Sequence, residues 1–444
     1  MKTGRPSLRR VSSSVAAILA VNFVGTLGFS IVLPFLVFLV TRFGGNAFIY
    51  GIMGATYSFF QLIGAPLLGR WSDRYGRKRI LLLSQLGTAL SWALFLVALA
   101  LPATPLLHHD SGLLGAFTVT LPLAALFVAR ALDGITGGNA SVANAYLADV
   151  TTEDERTTNF GRMAISANLG FVIGPALAGV LGATAWHETA PVAAAFAISG
   201  AACLMIGFGL RESRACDRSS IPARHSASRA MGQESRDCYE GTGSGGMSLS
   251  RAARMPHVPR LLLLNFLVFL AFNIFYVAFP IYVVGDLHWT LAQTGVFFAV
   301  LSLLMVAVQG PVLKRAGRRW SERTLVIGGS AILALSFPFF GASRPGWLYA
   351  GATCLALGNG LMWPSLLALL SRAAGERDQG AVQGLAGSGG AMASIAGLLL
   401  GGMLFGVLGA NAFNLAAGIT LVVCAVAAGI APSLTARRTA TANR

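Results

Sequence analysis

Residues 15–40 read VAAILAVNFVGTLGFSIVLPFLVFLV, with no charged side chain in the stretch. A hydrocarbon core about 30 Å thick is crossed by about 20 apolar residues in an α-helix. Twelve such runs are legible, at about 15–40, 48–69, 79–101, 119–148, 161–183, 190–210, 259–284, 291–313, 323–342, 346–371, 379–408 and 410–431. They are too long for barrel strands and lack strict alternation. Backbone groups in lipid must pair within their own segment, so the runs are read as helices, spans 1 to 12. The expected fold is an all-α membrane protein of twelve transmembrane helices.

Composition points the same way. Of 444 residues, 55% are hydrophobic and 11% charged. Soluble proteins carry about 25% charged residues, so this chain cannot cover a water-facing surface. The formal charge of +16 would suggest a nucleic-acid partner in a soluble protein. Here its placement explains it. Of 33 Lys and Arg, all but Arg42, Arg130 and Arg344 fall on one side of the expected topology. The positive-inside rule then places both termini in the cytoplasm, and richness in Ala, Gly and Arg points to a bacterium, so the expected location is the bacterial inner membrane. Lys2, Arg5, Arg9 and Arg10 resemble the start of a signal peptide, but the apolar run behind them is too long and lacks a small-residue cleavage site. It is read as a retained span 1. The five cysteines avoid the external loops, so no disulfide framework is expected.

Residues 211–258 are rich in Arg, Ser and Gly and read as a flexible cytoplasmic linker. They separate an N-terminal bundle, 15–210, from a C-terminal bundle, 259–431, with cytoplasmic tails at 1–14 and 432–444. The halves look duplicated. A shift of 241 places Gly69, Arg74, Gly76 and Arg77 on Gly310, Arg315, Gly317 and Arg318. Gly138-Asn139 matches Gly358-Asn359, and Gly174 and Gly179 match Gly397 and Gly402. Repeats of this kind point to alternating access around a site between them.

Three strings then carry a family resemblance over nearly the whole chain. GRWSDRYGRK at 69–78, RALDGITGGN at 130–139 and GFVIGPALAG at 170–179 lie in order on the basic connection after span 2, on span 4 and on span 5. Together they resemble signatures of the major facilitator superfamily, in the flavour of its twelve-helix drug and tetracycline proton antiporters. The resemblance implies two six-helix bundles and a proton gradient as energy source, with no cofactor. It assigns Arg130 to proton coupling. It assigns Asp73, Arg77 and Asp149 to a charge relay that holds the cytoplasmic side closed, with Gly69 and Gly76 allowing close approach and a tight turn. Gly170, Gly174, Pro175 and Gly179 form the pattern that in the family marks exporters. Many drug antiporters also have an acid in span 1; this chain has Asn22 there.

The residues carry their own argument. Asp133 is the one carboxylate well inside a span, and Arg130 lies one turn away on the same face. A membrane-embedded acid is costly, which points to function. It either exchanges a proton, with Arg130 tuning its protonation, or forms a permanent ion pair with Arg130. Asp149 faces a negative helix end and needs a cation. Arg74, Arg77 and Lys78 lie on the same side, so a latch is one reading and topology alone the other. For the substrate, Asn22 and Phe29 on span 1, Tyr57 and Gln61 on span 2, Asn265, Phe269, Asn273 and Tyr276 on span 7, and Asn359 and Trp363 on span 10 suggest an aromatic, amide-bearing cavity. Such a lining suits a small amphipathic compound; plain packing is the alternative for each residue.

Other functions find no support. No phosphate-binding Gly-x-x-x-x-Gly-Lys-Ser/Thr loop is present. GTGSGG at 241–246 lies in the linker with no strand before it. The histidines form no metal set, and no Ser-His-Asp arrangement reaches the membrane interior. The sequence therefore reads as a transporter and not an enzyme, a monomer with lipid and a small-molecule substrate as partners. Efflux is favoured by span 5, and uptake or facilitated diffusion of a metabolite such as a sugar is the alternative.

Overall fold

A computed structural model describes residues 8–32, 35–111, 114–137, 139–151, 155–213 and 254–430. Most of the linker, both chain ends, and Gly138, Glu153 and Asp154 lie outside these residues.

Ten helices are long and apolar enough to cross a membrane: Ala47–Tyr75, Arg77–Ala100, Leu121–Val150, Asn159–Gly182, Thr189–Gly209, Val258–Gly285, Leu291–Arg319, Pro345–Ala374, Gly384–Leu408 and Asn411–Ala428. The two remaining runs are also helical. Span 1 is built from Leu8–Ser30 and Leu36–Arg42, and span 9 from Glu322–Phe339. Each expected span is thus present as helix.

Four local features depart from the expectation. First, the basic stretch after span 2 is almost all helix: Arg70, Asp73 and Arg74 end one helix and Arg77 begins the next, leaving Gly76 as the whole connection. Its φ of +99° is one that side-chain-bearing residues rarely adopt. Second, Lys314, Arg315, Arg318 and Arg319 lie on the last turns of span 8, beyond a π-helical segment at Val308–Val312. Third, helical backbone runs unbroken from Pro345 to Leu408. A straight helix that long would far exceed a bilayer. It doubles back instead: Gly351, Gly358 and Arg372 approach Phe339, Gly329 and Glu322 in antiparallel order, whereas Gly390, Gly397 and Gly401 approach Phe269, Asn273 and Ile274 in parallel order. Fourth, residues 105–120 form an antiparallel hairpin, β1 (Pro105–His109) with β2 (Phe117–Thr120). It is pinned over the span 1–2 turn, where the Thr118 amide donates to the Gly44 carbonyl at 2.9 Å and the Thr120 hydroxyl to the Phe43 carbonyl at 2.8 Å.

Each half packs its own core. The C-terminal bundle centres on a chain of rings in which Phe275 contacts Phe340 at 4.5 Å and Phe279 contacts Phe297 at 4.4 Å between centroids. The N-terminal bundle has two clusters, one on the side of the hairpin around Trp92 and Phe95, which also takes in Val277, Leu291 and Leu398 of the other half, and one on the arginine-rich side around Ile18, Tyr146 and Ile206.

The halves meet along two seams on the hairpin side. Gly51 and Gly54 of span 2 face Leu398 and Gly402 of span 11, and Gly179 and Gly182 of span 5 face Gly295 and Leu291 of span 8. A Cβ added at Gly179 would lie 2.9 Å from the Gly295 Cα. Small residues let helix backbones approach this closely. Gly69, Gly161, Gly310 and Gly384, toward the arginine-rich ends of the same four helices, face open space. The duplication read from sequence is visible here. Gly174 packs on Ser30 and Ile31 of span 1 as Gly397 packs on Asn273 and Leu270 of span 7, and Gly402 repeats at span 2 the contact of Gly179 at span 8.

Candidate functional site

Inside the N-terminal bundle lies a cavity of about 370 Å³. All six of its spans contribute. Asn22, Thr26 and Phe29 come from span 1, Tyr57 and Gln61 from span 2, Gln85 from span 3, with Gly137, Phe171 and Ile206 closing the wall. The volume falls within the range of small-molecule sites. Four sequence-expected residues (Asn22, Phe29, Tyr57 and Gln61) are brought together in it. Asn22 is fixed there by donating to the Met163 carbonyl at 3.1 Å and the Ser166 hydroxyl at 2.8 Å. Phe29 lies against Tyr57 with centroids 5.1 Å apart.

The C-terminal candidates do not line this cavity. Asn265 is 2% exposed and donates to the Ala386 carbonyl at 2.9 Å, tying span 7 to span 11. Asn273 does the same through Ser394 at 3.1 Å. Phe269 meets Trp363 edge-on at 5.0 Å, and Tyr276 stacks on Phe272 at 5.7 Å. Asn359 is half-buried on span 10. In this conformation the amides and rings of the second half serve packing. Sequence reading missed Gln85, which is 2% exposed. The available signal was an amide standing alone in the apolar run of span 3.

Beside the cavity sit Arg130 and Asp133, each 4% exposed. The Arg130 Nη1 donates to the Asp133 Oδ2 at 3.3 Å. The guanidinium carbon lies 4.4 Å from the centre of the Tyr57 ring, a cation–π contact. The Tyr57 hydroxyl in turn accepts from the Gln61 amide at 3.0 Å. Tyr57 is therefore shared: one face of its surroundings is the ion pair, the other the cavity wall. The Arg130 Nε has no acceptor among the described residues.

At the arginine-rich end, the buried Arg77 binds Asp73 at 2.6 Å, Asp149 at 3.1 Å and the Ser72 hydroxyl at 2.7 Å. Lys78 reaches the Gly207 carbonyl at 2.7 Å. Gly76, Asp73, Arg77, Lys78 and Asp149 thus form one cluster that joins spans 2, 3, 4 and 6, all within one bundle. Gly69 contributes its carbonyl to Ser72 at 2.7 Å. Arg74 lies outside the cluster, over the Tyr75 ring at 5.3 Å. A further member escaped the sequence reading. Glu212 accepts from the Arg77 amide at 2.6 Å and the Lys78 amide at 3.2 Å. Span 3 begins with basic residues at the positive end of its dipole and with a glycine that has no capping side chain. The carboxylate from the end of span 6 supplies the cap. A Cβ on Gly76 would lie 2.5 Å from the Glu212 Oε2, a second reason for glycine there. Glu212→Ala is expected to cost about 0.5–2 kcal/mol, the range for lost caps. Thermal melting of the purified protein in detergent measures it, and an unchanged midpoint would contradict the capping role.

On span 5, Gly170 lets Thr26 and Leu27 approach, and Gly174 admits Ser30, whose hydroxyl donates to the Gly170 carbonyl at 2.8 Å. The Pro175 carbonyl sits beside the Gly295 seam. The span 5 pattern therefore serves a contact within the bundle and, through Gly179, one between bundles.

The Major Facilitator Superfamily profile matches residues 18–318 and 261–443. The chain belongs to the major facilitator superfamily. Among its relatives is the class C tetracycline resistance protein of Escherichia coli, 30% identical over 79% of this chain and 78% of that one. Multidrug resistance protein 2 of Bacillus subtilis (strain 168) is 26% identical over 86% of each chain. Two solved structures share the fold: a human organic anion transporter with TM-score 0.63 at 20% identity, covering 95% of this chain and 100% of that one, and a D-xylose-proton symporter with TM-score 0.71 at 13% identity, covering 96% and 99%. As a superfamily member the protein is a multi-pass membrane transporter of a small molecule. Its helical fold is the one those solved transporters share.

Proposed function

We propose that this protein exports small amphipathic compounds, of the tetracycline or multidrug type, across a bacterial inner membrane in exchange for protons. It works as a monomer by alternating access, with the arginine-rich face and both termini in the cytoplasm. The observation that carries this reading is the shared Tyr57. A buried Arg130–Asp133 pair touches, through that one ring and its Gln61 partner, the wall of a substrate-sized cavity. Protonation of Asp133 would loosen its hold on Arg130, and Arg130 rests on a residue the substrate would contact. Two ligands that bias one element are thereby coupled. The aromatic and amide lining supports an amphipathic substrate, and the relatives support efflux. The cluster around Arg77 acts as the cytoplasmic gate by holding spans 2, 3, 4 and 6 as one body while the bundles rock about their seams.

The test uses inside-out vesicles holding an acid-inside pH gradient read by a fluorescent dye. Tetracycline, cationic dyes and sugars are added to wild type and to Gln61→Ala. Export predicts that tetracycline or a dye discharges the gradient in wild type and does so several-fold less in Gln61→Ala. Transport of a sugar alone, equal with and without the gradient, would replace efflux with facilitated diffusion.

A further inference from the structure

The duplicated basic segment has diverged in one respect. The shift that places Arg77 on Arg318 also places Asp73 on Lys314. The shift of 220 that aligns Gly138-Asn139 with Gly358-Asn359 places Asp149 on Leu369, which is fully buried. Both carboxylates that neutralise Arg77 are therefore missing from the second copy. The consequence shows in the structure. Arg77 is 6% exposed and held by two acids. Arg315, Arg318 and Arg319 are exposed, and among the described residues no carboxylate pairs with them. The negative end of the span 8 dipole favours cations there, and among the described residues no carboxylate takes up their guanidinium donors.

These arginines enclose a space. A pocket of about 400 Å³ is walled by Arg315, Arg318 and Arg319 together with Val312, Ala316 and Trp320. It opens at the end of a membrane-crossing helix, Leu291–Arg319. Trp320 is 54% exposed beside it. Exposed tryptophan marks the level of lipid headgroups. Basic pockets at that level on the cytoplasmic side take anionic headgroups. An arginine fork matches phosphate oxygens bidentately. A free inorganic anion would have no use for the Val312, Ala316 and Trp320 walls, whereas a headgroup with its glycerol and first methylenes uses both kinds of surface.

We propose that this pocket at the end of span 8 seats the phosphate headgroup of an anionic phospholipid from the adjacent leaflet. The lipid takes the place of the carboxylates that the first half supplies from its own chain.

The full-length protein is purified, exchanged into phosphatidylcholine with a minor share of phosphatidylglycerol, and retained lipid is counted by native mass spectrometry. Wild type is compared with the triple variant Arg315→Gln/Arg318→Gln/Arg319→Gln, with Arg318→Gln alone, and with Arg70→Gln/Arg79→Gln as an exposed-charge control. The expected result is about tenfold weaker retention of phosphatidylglycerol in the triple variant, an intermediate loss in the single one, and no change in the control or in bound phosphatidylcholine. Equal retention in wild type and triple variant overturns the site. An equal loss in the control reduces it to diffuse charge. Displacement of the lipid by millimolar inorganic phosphate overturns the lipid as occupant. The readout is lipid binding, so it stands or falls independently of what the protein exports.

Discussion

Asp133→Asn is expected to reduce gradient-driven transport to the level of empty vesicles, while exchange of substrate down its own gradient continues. The physical cost is separate from the coupling loss. Arg130 and Asp133 are both 4% exposed, and removing one partner of a buried pair costs about 3–5 kcal/mol because the other charge stays behind. A single variant therefore confounds folding with coupling. The double variant Arg130→Gln/Asp133→Asn removes both charges and much of that penalty. If the pair is only a structural tie between turns of span 4, the double variant regains gradient-driven transport. If Asp133 carries the proton, the double variant folds, melts close to wild type and still fails to couple. Proton flux measured beside substrate flux in proteoliposomes decides between them.

The second large effect is expected at the seams. Gly179→Leu forces a side chain into the backbone of Gly295, which a Cβ alone would already meet at 2.9 Å. Overpacking of this kind costs about 1–3 kcal/mol. The strain falls only on the conformation in which the hairpin-side halves touch. A bias of that size moves the ratio of inward-open to outward-open protein by about five- to 150-fold. Transport should drop with it, since a carrier held in one state turns over slowly. Spin labels on spans 5 and 8 at the hairpin side should report a longer distance in the variant. Gly402→Leu, at the matching position of the other seam, should act in the same direction. Wild-type distances in both variants would show that the seams are passive.

The spans were legible because burial in lipid demands long uncharged runs, and nothing else in the chain resembles them. The cluster around Arg77 was legible for a different reason. An Asp-x-x-Gly-Arg order at a helix junction places opposite charges within one turn whatever the rest of the protein does. Glu212 was not legible. A lone acid past the last apolar residue of span 6 looks like ordinary loop polarity, and only the fold brings it to the N-terminus of span 3. The cavity was legible by half. All four amides are paired, Asn22 and Gln61 within the first bundle and Asn265 and Asn273 with span 11, yet only the first two line the cavity, a difference that spacing along a span does not show. The hairpin at 105–120 was hidden by its shortness, since its strands PLLHH and FTVT are five and four residues long and the first has no alternation to set it apart from a loop.

The two glycine seams amount to one interface used twice, span 2 against 11 and span 5 against 8. In a two-fold homodimer that contact is made by one patch meeting its own copy, and every substitution appears on both sides at once. A fused chain is released from that rule. Each seam can change alone, and so can each copy of the basic segment. One copy here carries acids and pairs with its own bundle; the other carries Lys314 and Leu369 at those positions and presents its arginines at the surface. Fusion thus permits two ends of one plan to differ, one pairing its arginine within its own bundle and the other presenting its arginines at the surface.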